Sequence, residues 1–102
     1  MKPLQPTPEL LKVAERVVWF KKPTETLDDP IHFLAYAMKS GTAEDLVALD
    51  RAGINLNHFR EVLDNAPPGI FDERSWAYWN LRCGRRPVPP LPVRTFGMDE
   101  HQ

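Results

Sequence analysis

Apolar residues recur along this chain at helical spacing, and the breaks between the recurring stretches carry helix-start and helix-stop signals. Leu10, Val13, Ala14, Val17 and Val18 follow a 3.6-residue period, with Lys12, Glu15 and Arg16 opposite them. Thr7-Pro8-Glu9 supplies an N-cap, a first-turn proline and an acid for the dipole. This predicts a helix over about 8–21, its apolar face widened at the end by Trp19 and Phe20 and closed by Lys21 and Lys22 before Pro23. Residues 23–29 read as a loop. Asp29-Pro30 repeats the start signal, Ile31, Leu34, Ala35 and Met38 form the next stripe, and Ser40-Gly41 ends it. Thr42-Ala43-Glu44-Asp45 resembles a capping box with aspartate at N3, opening a short helix with Leu46, Val47 and Leu49 that stops at Gly53.

Asn55 caps a fourth helix, with Leu56, Phe59, Val62 and Leu63 inward, which Pro67-Pro68-Gly69 breaks. Asp72 caps a fifth over about 73–83 that ends at Gly84. No six-residue segment alternates strictly, so a sheet is not expected. The fold expected is all-α: a compact bundle of about five short helices over 1–84. Residues 85–102 follow as a proline-rich arm and frayed tail, the run Arg85 to Arg94 lying near polyproline II.

A chain of 102 residues has room for one core, and its apolar share of 42% is enough to fill one. The net charge of −1 exerts no global pull toward nucleic acid or anionic lipid. Its distribution is uneven. Residues 1–22 carry +3, residues 42–64 carry −3, and 74–94 hold five arginines and no acid. Basic ends and an acidic middle suit either ends that fold back onto the middle or a bipolar surface for a partner. The single cysteine, Cys83, excludes an internal disulfide and reads as a small buried residue in a reducing compartment. No apolar run is long enough for a membrane span, and the N-terminus lacks a signal-peptide core, so a cytoplasmic location without membrane contact is expected.

Catalytic signatures are missing. His32, His58 and His101 belong to no paired spacing, and the chain has no nucleophile elbow, phosphate loop or Cys–His arrangement. The acid pairs Glu44-Asp45 and Asp72-Glu73 stand at helix starts, where the dipole accounts for them. The helix pair across Ser40-Gly41 resembles a helix–turn–helix, yet its second helix opens with two carboxylates where phosphates would lie. No catalytic, cofactor-binding or metal-binding residue is therefore expected.

Two features point to adhesion instead. Arg86-x-x-Pro89-x-x-Pro92 and Pro89-x-x-Pro92-x-Arg94 each fit one orientation of a ligand for an aromatic proline-binding groove. The alternative is that the arm wraps over the domain's own aromatics. In the last helix Trp76, Trp79, Asn80 and Cys83 share a face, while Tyr78, Leu81 and Arg82 fall elsewhere, so this helix can serve core or contact surface. The candidate partner-binding set is Arg74, Trp76, Tyr78, Trp79, Arg82, Arg85, Arg86, Pro89, Leu91, Pro92 and Arg94.

Phe33 to Gly41 (FLAYAMKSG), Ala43 to Leu49, Phe59 to Leu63, Pro67 to Phe71, Arg74 to Leu81 (RSWAYWNL) and the PVPPLP arm resemble pieces of a group of small bacterial proteins. In that group such proteins accompany nucleotidyltransferase-type toxins of abortive-infection systems. The resemblance spans about Asp28 to Arg94, leaves out the first helix, and implies a partner, antitoxin-like or regulatory role. The expected function is a non-catalytic protein-interaction module. The alternatives are a nucleic-acid binder using the basic aromatic C-terminal segment and a structural homodimer paired through its aromatics.

Overall fold

The computed structural model describes residues 1–92. These form six helices: α1 (Pro8–Val17), α2 (Pro23–Leu27), α3 (Pro30–Ser40), α4 (Ala43–Arg51), α5 (Leu56–Asn65) and α6 (Glu73–Arg82), with no strand among the described residues. The local start signals act as their chemistry dictates. Thr7 Oγ1 accepts from the Leu10 amide at 3.2 Å, and Asp29 from that of His32 at 3.4 Å. Thr42 and Asp45 close a reciprocal capping box, with the Thr42 amide donating to Asp45 Oδ2 at 2.9 Å. Asp72 and Ser75 form another. At α5 the reciprocal partner is a histidine: Asn55 N–H donates to His58 Nδ1 at 3.0 Å.

Two expectations are corrected. The first helix ends at Val17, not near residue 21, and Trp19 and Phe20 do not extend its apolar face. The 23–29 segment is not a plain loop but contains α2, which makes the bundle one of six helices rather than about five. Pro23 at the first helical position and Glu25 in the first turn start α2, and burial of Thr26 and Leu27 holds it against α1 and α3. A five-residue helix is too short to show a period, so tertiary burial rather than pattern decides it.

Helix α3 is the hub and packs against every other helix. Phe33, Leu34, Ala35, Ala37 and Met38 are all buried, so the helix has almost no polar side to turn outward over that stretch. The α3–α4 turn is tight because Gly41 lies against the preceding helix, where a Cβ would collide with the Ala37 carbonyl oxygen. Trp79 Nε1 donates to the Met38 carbonyl at 2.7 Å, fastening α6 to the C-terminal end of the hub.

The charged segments do meet. Arg16 pairs with Asp45, Arg51 with Glu9 at 2.9 Å, Arg85 with Asp64 at 2.6 Å, and the Met1 amino group with Glu61 at 2.9 Å. Exposed pairs of this kind each contribute about 0–1 kcal/mol. Asp45 differs, because its side chain is only 2% exposed.

Past α6 the chain turns at Gly84, whose φ of +79° suits a residue without a Cβ. Arg85 anchors the arm's root on Asp64 and on the Arg60 carbonyl at 3.3 Å. Val88 and Leu91 pack on the core, and Trp76 Nε1 donates to the Pro89 carbonyl at 2.8 Å. Through residue 92 the arm is docked on its own domain.

Candidate interaction surface

The sequence-derived contact residues divide into three groups. Trp76 and Trp79 are each 4% exposed and belong to the core: Trp76 packs edge-on against Phe71 and holds the arm, and Trp79 packs against Phe59. Arg85, Leu91 and Pro92 are partly covered, Arg85 by its pair with Asp64. Arg74, Tyr78, Arg82, Arg86 and Pro89 face solvent, although the Pro89 carbonyl is already used. Arg94 lies outside the described residues.

Tyr78 and Arg82 form the outer face of α6. Arg82 Nη1 donates to the Tyr78 hydroxyl at 2.8 Å, and its guanidinium stands 5.7 Å from the Tyr78 ring and 5.9 Å from that of Trp79. Beside them Leu46, Ile54, Leu56 and Phe59 line a shallow groove of about 280 Å³ with Asp50, Asn55, Trp79 and Arg82. The arginine is held over its own aromatics, which satisfies both groups locally.

A second surface gathers what the linear pattern scattered. In the turn after α1, Trp19 is 79% exposed and Phe20 49% exposed. Their rings meet edge to face at 5.6 Å. Phe20 in turn stands 5.6 Å from Tyr36 and 6.3 Å from His32, which lie one turn apart on α3 and 4.9 Å from each other. Four rings thus run in a row from the turn onto the hub helix. Next to them Arg16, Val17, Trp19, Tyr36, Ser40, Thr42 and Asp45 line a hollow of about 390 Å³.

Helical geometry could have marked this surface. At about 100° per residue, Trp19 projects about 140° away from Ala14, whereas Phe20, seven residues after Val13, lies only about 20° from that stripe residue. Continuing α1 would have carried Trp19 onto its polar side and Phe20 to the edge of its apolar one. Angular position thus marks Trp19 for the surface, while Phe20 leaves the apolar face because the helix ends at Val17.

The charges around the corner are mixed. Lys21 and Lys22 follow the ring pair directly and take part in no ion pair among the described residues. The exposed acids Glu25, Asp28 and Asp29 follow in the chain, and the Asp29 carboxylate accepts from the His32 amide at 3.4 Å. The His32 pKa lies below the usual histidine value, chiefly because burial disfavours the imidazolium and secondarily because of Lys21, with Asp29 opposing. Its Nδ1 is shut away from solvent without a hydrogen-bond partner. His58 Nδ1 is committed to its helix cap, and burial pushes the Cys83 thiol up. Among the described residues no group of three His, Cys, Asp or Glu side chains converges as metal ligands do, and no described helix is long and apolar enough to cross a membrane. The arrangement is suited to contact: large rings, a hollow beside them and charges of both signs around them. No family model, no curated protein and no solved structure matches this chain.

Proposed function

We propose that this protein is a non-catalytic protein-interaction module whose principal contact surface is the aromatic corner Trp19–Phe20–Tyr36. The observation that carries the reading is the 79% exposure of Trp19 beside a half-exposed Phe20. Leaving two large rings in water forgoes about 25 cal/mol for each Å² of apolar surface that packing could have buried. The same chain seals its two other tryptophans almost completely. Trp is also among the residues that most often dominate binding energy at protein interfaces. The outer faces of α6 and of the arm, through Tyr78, Arg82 and Arg86, provide further contact area.

The resemblance over Asp28 to Arg94 supplies the partner class: a nucleotidyltransferase-type toxin that this protein accompanies and restrains. The test is co-expression of the full chain with such an enzyme encoded beside its gene. Wild-type protein retains the enzyme through purification, and Trp19→Ser/Phe20→Ser loses it while keeping its helical circular dichroism. Equal retention by the two forms overturns the reading.

A further inference from the structure

We infer that the face of α6 around Trp76 is a groove for polyproline-II segments, and that the chain's own arm is its resident, displaceable ligand. Proline fixes φ at about −65° and pushes the residue before it out of the α region. Val88, Pro89 and Leu91 are each followed by a proline and are thereby held near polyproline II; residues 88–92 adopt no helix, strand or turn. That conformation has three residues per turn, so Val88 and Leu91 share one edge. Burial follows the same period. Val88 and Leu91 are half-buried and pack on the core, whereas Pro89 and Pro90 between them are exposed. Within that turn Trp76 Nε1 donates to the Pro89 carbonyl at 2.8 Å.

The chemistry of this contact selects the class of ligand. Polyproline II makes no internal hydrogen bonds, so its carbonyls stay available to an outside donor. Pro87, Pro89, Pro90 and Pro92 carry no amide hydrogen, which leaves Val88 and Leu91 as the backbone donors of that stretch. An ordinary extended peptide would bring an N–H at every residue to a surface with no strand edge among the described residues to receive them. Trp76 offers what a proline-rich segment needs: a ring packed edge-on against Phe71, and an Nε1 that loses its partner when the arm leaves. Past its root the arm is lightly held. Arg85 is fixed on Asp64, but among the described residues beyond it the Trp76 bond is the arm's one hydrogen bond to the domain. Its two apolar anchors are each only half covered. The tether supplies the rest, acting as a high local concentration that keeps the groove filled in cis.

The test uses the full-length chain carrying Val88→Ser/Leu91→Ser, which unseats the arm, and a fluorescein-labelled peptide of residues 86–92 (RPVPPLP) followed by anisotropy. The comparators are the same peptide with alanine for every proline, and one with serine for its valine and leucine. The peptide is expected to bind the unseated variant roughly tenfold more tightly than the wild type, where the resident arm competes. Adding Trp76→Phe, which keeps a ring and removes the donor, should weaken that binding roughly fivefold, the worth of one hydrogen bond. No binding to the unseated variant, equal binding to the wild type, equal binding of either comparator, or an unchanged affinity in Trp76→Phe overturns the inference. So does loss of helical circular dichroism in Val88→Ser/Leu91→Ser, since an arm the fold cannot release is core and not ligand. If Trp76→Phe fails to fold, the peptide comparators decide alone. The groove shares no residue with Trp19, Phe20 or Tyr36, so its failure leaves the aromatic corner standing.

Discussion

Removing the guanidinium of Arg16 while leaving Asp45 in place strands a carboxylate that is 2% exposed, and this should cost far more than a surface ion pair is worth. The side chain of Arg16 is itself 57% exposed. The two partners are therefore unequal: one has lost nearly all its water, the other has kept most of it. Breaking a fully buried pair by deleting one member costs about 3–5 kcal/mol. Two features reduce that here. Asp45 Oδ2 keeps the Thr42 amide at 2.9 Å, and the N-terminus of α4 still favours negative charge by about 0.3–1 kcal/mol. Arg16→Met, which retains the packing stem, is thus expected to cost about 2–3 kcal/mol, a large part of the ~5–15 kcal/mol that holds a domain together. Asp45→Asn removes the charge but keeps an acceptor for Thr42, and should cost about 1 kcal/mol. The double variant should cost little more than Asp45→Asn alone, because Arg16 then has no stranded partner to neutralise. Urea unfolding followed by circular dichroism measures all three, with an m-value of about 1–2 kcal/mol/M translating Arg16→Met into a midpoint fall of roughly 1–3 M. If Arg16→Met costs no more than Asp45→Asn, or if the two penalties simply add, the desolvation argument is wrong.

Three further outcomes follow from the same geometry. Trp79→Ala should lose about 3–5 kcal/mol, since it empties a core site and frees the Met38 carbonyl, whereas Trp19→Ala should stay within about 0.5 kcal/mol; paired urea titrations test the contrast. Gly41→Ala should lower stability by about 1–3 kcal/mol, because the new methyl meets the Ala37 carbonyl oxygen and the α3–α4 turn must shift; thermal unfolding would show it, and an unchanged midpoint would refute the close approach. The folded state holds the His32 pKa below its ordinary 6.5, so the unfolded chain binds the proton more readily. Stability tied to His32 is therefore complete above about pH 6.5 and is lost as pH falls through the lower folded value. His32→Phe should flatten the stability profile between about pH 7.5 and about pH 5, and an unaltered slope would contradict it.

Much of this architecture was readable before any coordinates, and the reasons are local. Thr7-Pro8, Asp29-Pro30, Thr42 with Asp45, Asn55 and Asp72 each satisfy orphan amides a few residues away, so their effect needs nothing distant. The apolar stripe of α1 likewise follows from period alone. On α5 Phe59, Val62 and Leu63 are buried as expected but Leu56 is exposed, and on α3 Phe33 and Ala37 are buried beside the stripe while Ile31 is only partly so. The candidate surface was less legible. Trp76 and Trp79 looked equally suited to core and contact, and their burial depends on Met38, Phe59, Phe71 and Pro89 arriving from elsewhere in the chain. The short helix α2 depends on burial against its neighbours rather than on any repeat of its own.

What the sequence alone determined is the set of helices with strong caps, the all-helical class and the basic–acidic–basic order of charge. Only the tertiary structure decided which carboxylate pairs with which arginine, that the proline-rich arm lies down on Trp76, and that Trp19, Phe20, His32 and Tyr36 stand together at the surface. The physical reason is range. Caps and periodicity are settled within one or two turns of backbone, whereas desolvation belongs to a place in space, and that place is created by segments tens of residues apart.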